Sequence, residues 1–206
     1  MAVTKEPRGN GSVNGSGGIK YIDGIAFIGL GSGGFDPTKD FVFTGDELDN
    51  FIEGGDGHDE LIGNGGNDVL REGLNNGILK GGEGNDDLDG QQGTEKLFGG
   101  PGNDILRAGY GYDRLNGGEG NDTFGFYAEG HFQVADFTIG QDRLFFDSTT
   151  LGITQLSELV PYITKISDIT NDAKGGTRFD FGPNASIELV GIKLADLTAE
   201  MIVFHL

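Results

Sequence analysis

The chain has 206 residues and contains no cysteine and no tryptophan, with only two methionines, five prolines and three histidines. Without cysteine there is no disulfide framework and no thiolate metal site. Basic residues are scarce: 14 Lys and Arg stand against 33 Asp and Glu, a net charge of −19. Such a chain repels polyanions, which argues against nucleic acid and anionic membranes as partners. No apolar run is long enough to span a bilayer; residues 19–30 are partly apolar, but short and interrupted by Lys20 and Asp23. Lys5 and Arg8 precede GNGSVNGSGG (9–18) rather than the apolar core of a signal peptide.

Catalytic signatures are lacking as well. There is no HExxH, and His58, His131 and His205 are scattered. Ser32 lies in LGSGG, where Leu30 replaces the first glycine of a nucleophile elbow. GLGSGG (29–34) matches GxGxxG, but forty glycines make such a match expected by chance, and no βαβ pattern surrounds it. The chain is therefore expected not to be an enzyme.

What the chain does have is a period of nine. Eight consecutive units run GGDGHDELI (54–62), GNGGNDVLR (63–71), EGLNNGILK (72–80), GGEGNDDLD (81–89), GQQGTEKLF (90–98), GGPGNDILR (99–107), AGYGYDRLN (108–116) and GGEGNDTFG (117–125). Position eight is always large and apolar, from Leu61 and Leu70 to Phe124. Position six is acidic in all but one unit: Asp59, Asp68, Gly77, Asp86, Glu95, Asp104, Asp113, Asp122. A fixed period of this kind implies stacked, near-identical units. Glycines at positions one, two and four allow tight turns. Positions seven to nine suit a very short strand, with position eight inward and its neighbours outward. Two units then make one flattened coil of eighteen residues, with a turn on each side and a thin leucine core. So little apolar burial against so much ordering requires another source of stability.

The units resemble the RTX (repeats-in-toxin) consensus GGxGxDxUx over 72 residues, about a third of the chain. That resemblance implies an all-β fold: a right-handed parallel β-roll, or β-solenoid, over 54–125, closed by a β-rich cap over 126–206. Residues 1–18 are expected to form a flexible leader, and 19–53 N-terminal strands that cap the roll. It also implies Ca²⁺, held between the turns of alternate units by turn carbonyls and the position-six carboxylate. A hard cation of this type takes six to eight oxygens. The implied sites on the better-kept edge comprise Gly63, Asn64, Gly65, Gly66, Asn67 and Asp68; Gly81, Gly82, Glu83, Gly84, Asn85 and Asp86; Gly99, Gly100, Pro101, Gly102, Asn103 and Asp104; and Gly117, Gly118, Glu119, Gly120, Asn121 and Asp122. Four such turns enclose three intervals, hence three sites. The other edge offers Asp59 and Asp113, but its unit 72–80 has lost its first glycine and its position-six Asp, and 90–98 carries Glu95 with Gln91 and Gln92. That edge is expected to be empty or weakly occupied.

The flanks fit the same picture. GDELDNFIE (45–53) falls in the nine-residue frame, with Asn50 at the ligand position and Ile52 at the core position, as an imperfect first unit or a plain edge strand. VADFTIGQDRLFF (134–146) resembles the segment that closes such rolls, and makes Asp136 and Asp142 either ligands or parts of a surface turn. TRFDFG (177–182) and SIELVGI (186–192) read as a hairpin. The ending AEMIVFHL (199–206) resembles the loose pattern of a C-terminal type I secretion signal. The expected function is a secreted bacterial calcium-binding protein or module that meets a type I transporter transiently and folds on calcium. The alternative is an accessory module of a larger metalloprotease, lipase, mannuronan epimerase or adhesin. In that case Arg71, Lys80, Arg107 and Arg114 could touch an acidic polysaccharide, their other role being charge balance.

Overall fold

The computed structural model describes residues 12–13, 18–22, 25–29, 40, 42–170 and 172–206, with backbone pairing only for the first three stretches. The rest of the expected leader, and residues 30–34 of GLGSGG with Ser32, lie outside the described residues. Two long sheets face each other and the chain alternates between them. The first sheet contains, in spatial order, Ser12–Val13, Val42–Thr44, Glu60–Gly65, Ile78–Glu83, Lys96–Pro101, Tyr110–Glu119, Gly130–Val134, Ser186–Val190, Gly176–Asp180 and Lys165–Asp168, with Gln92–Gly93 pairing off this path. The second contains Gly18–Ile22, Ile25–Gly29, Asn50–Gly55, Val69–Gly73, Asp87–Asp89, Ile105–Ala108, Thr123–Phe126, Arg143–Phe146 and Ile202–Val203.

Within the repeats, neighbouring strands are parallel and offset by eighteen residues, so position eight of one unit pairs with position eight two units on. Leu61 pairs with Leu79, Leu79 with Leu97 and Leu97 with Leu115 in the first sheet. Ile52, Leu70, Leu88, Leu106 and Phe124 form the matching column in the second. Every residue of both columns is fully buried. Each buried leucine contributes about 1.5–3 kcal/mol. The strands are short because glycine turns interrupt them at each side, so Ala108 is the one further apolar residue of the units 54–125 that joins the core.

The ladder does not stop at residue 125. Gly130–Val134 and Arg143–Phe146 add parallel strands to the two sheets, and Ser186–Val190 and Ile202–Val203 add one more each. Between them the chain inserts short helical turns at Ser148–Leu151 and Leu156–Leu159 and the antiparallel pair Gly176–Asp180 with Ser186–Val190. The core here is aromatic: Phe126 packs against Phe132 and Phe146 with ring centroids 5.2 and 5.6 Å apart. Phe181 and Phe204 each lie 6.2 Å from Phe146. This region lengthens both sheets beyond the repeats and ends the first in the antiparallel strands Gly176–Asp180 and Lys165–Asp168.

Candidate metal centres

The turns fall on two edges. Residues 63–68, 81–86, 99–104 and 117–122 carry the chain from the first sheet to the second; 54–59, 72–77, 90–95 and 108–113 bring it back. We call these the consensus edge and the variant edge. The turn at 45–50 precedes 63–68 on the consensus edge, and 135–142 follows 117–122.

On the consensus edge the aspartates form a ladder. The N–H of Asp68 donates to Asp86 Oδ1 at 2.7 Å, that of Asp86 to Asp104 Oδ1 at 2.8 Å, and that of Asp104 to Asp122 Oδ1 at 2.9 Å. Asn50 starts the series by donating from its N–H to Asp68 Oδ1, and Asp142 ends it by accepting from the N–H of Asp122. One oxygen of each carboxylate is thereby satisfied. The other, Oδ2 of Asp68, Asp86, Asp104 and Asp122, is buried with no hydrogen-bond donor.

Those oxygens border a space that glycine keeps open. A Cβ on Gly63 would collide with Asp68 Oδ2 and with the carbonyl oxygen of Gly81 in the next coil; one on Gly99 would collide with Asp104 Oδ2 and the Gly117 carbonyl. Positions two and four adopt left-handed backbone angles, as at Gly82 (φ 116°) and Gly84 (φ 131°), and Asn64 takes φ 82° in place of a glycine. Among the described residues no three carboxylate or imidazole groups converge on one point. A bound ion must therefore draw most of its oxygens from backbone carbonyls, as a hard cation can. The donor set fits such a cation, because acceptors crowd the space and donors do not.

Electrostatics agree. Burial pushes the Asp68 carboxyl up to about 8, with Asp86, Asp49 and Asp46 adding repulsion. Burial likewise pushes Asp104 up to about 7, and Asp86 and Asp122 to about 6. At each position burial disfavours the ionised carboxylate, and a proton or a cation beside it relieves that cost.

The remaining implied residues have other surroundings. Asn67, Asn85, Asn103 and Asn121 form a second, exposed ladder: the side-chain oxygens of Asn67, Asn85 and Asn103 accept the N–H of Asn85, Asn103 and Asn121. The carbonyls of Pro101 and Glu119 accept from the N–H of Gly84 and Gly102. The side chains of Glu83 and Glu119 are exposed. The two ends of the consensus edge are satisfied internally. Asn50 Oδ1 accepts from the N–H of Asp46, and Asp142 Oδ2 from the N–H of Thr138. Asp136 accepts from the N–H groups of Gly117 and Gly118.

The variant edge carries more acid than its consensus score suggests. Asp59 and Asp113 are buried as position-six residues, and Glu95 N–H donates to Asp113 Oδ1 at 2.9 Å. Residue 77 is glycine, yet Glu72 turns its carboxylate inward and accepts the N–H of Asp59 at 3.1 Å. The sequence signal for this was the glutamate at position one of the very unit that lost its aspartate. Burial pushes Glu72 up to about 8. Burial, reinforced by the adjacent Asp113 carboxylate, raises Glu95 far above the usual carboxylate range, and burial raises Asp113.

The profile of the RTX calcium-binding nonapeptide repeat matches residues 44–79, 73–106 and 98–125. The chain therefore carries RTX repeats from 44 to 125, starting with the imperfect unit at 45–53. No curated protein matches the chain significantly in sequence. Solved structures similar to it include the AlgE6R3 subunit of the Azotobacter vinelandii mannuronan C5-epimerase, at 23% identity over 84% of this chain and 83% of that one, with a TM-score of 0.40. The extracellular lipase LipA of Serratia marcescens is 19% identical over 90% of this chain and 41% of its own, with a TM-score of 0.34. The chain thus spans less than half the length of the lipase.

Proposed function

We propose that these RTX repeats form a calcium-folded, non-catalytic module of a bacterial protein that leaves the cell by type I secretion and works outside it. The observation that carries the reading is the row of buried Asp Oδ2 atoms at 68, 86, 104 and 122, in register and without donors. A bound Ca²⁺ would supply the positive charge these oxygens lack. The residues placed to hold it are the position-six aspartates and the carbonyls of the glycine turns, with position-one glycines keeping the space open.

Folding then follows ion concentration. With a net charge of −19 and acids concentrated in the turns, a chain without cations resists compaction. Extracellular calcium modules bind at about 10⁻⁴–10⁻³ M. A site of that affinity is empty in a calcium-poor cytosol, where an unfolded chain suits a transporter, and fills outside. The terminal Ile202–Val203 strand pairs with Arg143–Phe146.

An acidic polysaccharide finds less support. Lys80 pairs with Glu60 and Arg107 with Asp87, and Arg71 lies over the Phe51 ring. Arg71 and Arg107 sit on the second sheet, Lys80 and Arg114 on the first. The geometry favours charge balance over one polymer-binding face. Circular dichroism during a calcium titration tests the proposal: the chain should gain β-structure in the millimolar range, and a chain equally β-rich in chelator would refute it.

A further inference from the structure

We propose that the variant edge is also a cation-binding edge, in which Glu72 supplies from position one the carboxylate that residue 77 lacks at position six, and Glu95 works with Asp113 in the next interval. This rests on the calcium reading of the roll and extends it to two residues outside the repeat consensus.

Positions one and six face each other across each turn. In the consensus units the position-six carboxylate leans toward the position-one glycine, so a Cβ on Gly81 would collide with Asp86 Oδ2, and one on Gly117 with Asp122 Oδ2. Unit 72–80 is the mirror case. A Cβ on Gly77 would land on the carboxyl group of Glu72. The same small space is filled from the opposite wall: a methyl at position one is accommodated opposite Asp113, as Ala108 shows, but in unit 72–80 the carboxylate itself comes from position one. The substitution is reciprocal: Gly to Glu at position one, Asp to Gly at position six.

The replacement also keeps the ladder contact. Glu72 Oε1 accepts the N–H of Asp59, the role that Asp86 Oδ1 plays for Asp68 on the other edge. Its second oxygen then has the same property as those of the consensus aspartates: Glu72 Oε2 is buried without a donor, in a residue with no solvent exposure. Glu95 lies one coil further on and Asp113 one coil beyond it; their two carboxyls meet each other, and both oxygens of Glu95 and Asp113 Oδ2 are buried with no N–H donor, again in residues almost wholly enclosed. Glu95 Oε1 approaches Gly93, whose backbone is left-handed (φ 149°), so no larger residue intrudes there. Oxygens without donors, aimed into glycine-lined spaces on successive coils, are the arrangement that marks the consensus edge. The longer glutamate reaches the same place from a different Cα.

Counting calcium ions bound to the full chain by native mass spectrometry, at fixed free calcium, tests this. Glu72→Gln and Glu95→Gln should each lower the count by at least one relative to the parent, and Asp86→Asn on the other edge should lower it independently. Glu72→Gly should lose the same ion as Glu72→Gln, and adding Gly77→Asp should restore it, because the consensus arrangement is rebuilt. An unchanged count in both glutamine variants overturns the inference while leaving the consensus edge intact. Failure of Glu72→Gly with Gly77→Asp to regain the ion overturns the exchange of positions. A parent chain that binds no calcium at all would remove the underlying reading as well.

Discussion

In the repeats, one leucine per sheet enters the core for every eighteen residues, and the turns on the consensus edge bury carboxylates with an unsatisfied oxygen. In the block after residue 125, Phe126, Phe132 and Phe146 meet within little more than one coil, and the acids of the closing turn, Asp136 and Asp142, are satisfied by backbone N–H groups. The two regions share sheets and register. On the calcium reading proposed above, what separates them is where the stabilising free energy comes from: apolar contact in the block, ligand in the roll. Such a fold is continuous in hydrogen bonding and divided in its dependence on an ion.

The comparison can be broken from either side. Truncating the aromatic core with Phe146→Ala should cost about 3–5 kcal/mol, seen as a lower melting temperature in calcium with an unchanged number of bound ions. A loss of ions would mean that the block and the roll are not separable in this way. On the roll side, Asp86→Ala removes a charge-assisted hydrogen bond to Asp68 as well as a ligand oxygen. The hydrogen bond alone is worth about 1.5–3 kcal/mol, and the calcium midpoint for folding should rise. Asp142→Ala, which loses only internal hydrogen bonds, should leave that midpoint much less affected.

Acid sharpens the contrast. The carboxyls of Asp68, Asp86, Asp104, Asp122 and Glu72 titrate higher in the folded chain than their ordinary values of 3.8 and 4.5, at about 6 to 8. Without calcium the folded roll therefore holds more protons than the unfolded chain. Its stability is greatest below about pH 4 and falls as pH rises toward 8. Calcium must displace those protons, so its affinity should rise over the same interval, with proton release on binding. Circular dichroism in chelator at pH 4 and pH 8, with a pH indicator during titration, reads both effects. A calcium-free chain more folded at pH 8 than at pH 4 would contradict the assignment. The smallest effect expected is that of Asn103→Ala on the exposed ladder, about 0.5–1.5 kcal/mol for its hydrogen bonds, measured in denaturant with the ion count unchanged.

Much of this was legible before any coordinates, because a nine-residue period with one leucine and one aspartate determines coil length, core column and the parity of the edges together. Ile52 and Asn50 could be assigned to core and ligand positions from the frame alone, and both are buried there. Three features were not legible. Glu72 escaped because a consensus scores residues by position, whereas the space it fills is bounded by two positions, and a carboxylate can enter from either. The Asn67–Asn121 ladder escaped because position five reads as an exposed turn residue, and its order comes only from stacking. The hairpin of 177–182 with 186–192 was legible, but the joining of its second strand and of the last strand to the roll was not, because Ser186–Val190 and Ile202–Val203 pair with strands 55 and 58 residues earlier, a spacing unrelated to the period.

The central claim is that cations in the glycine turns are what make this chain fold, and thermal unfolding of the same sample in excess Ca²⁺ and in EDTA tests it most directly. A cooperative transition at high temperature in calcium, with no folded baseline or a far lower midpoint in EDTA at neutral pH, is the result predicted here. Coincident melting curves in the two buffers would contradict it.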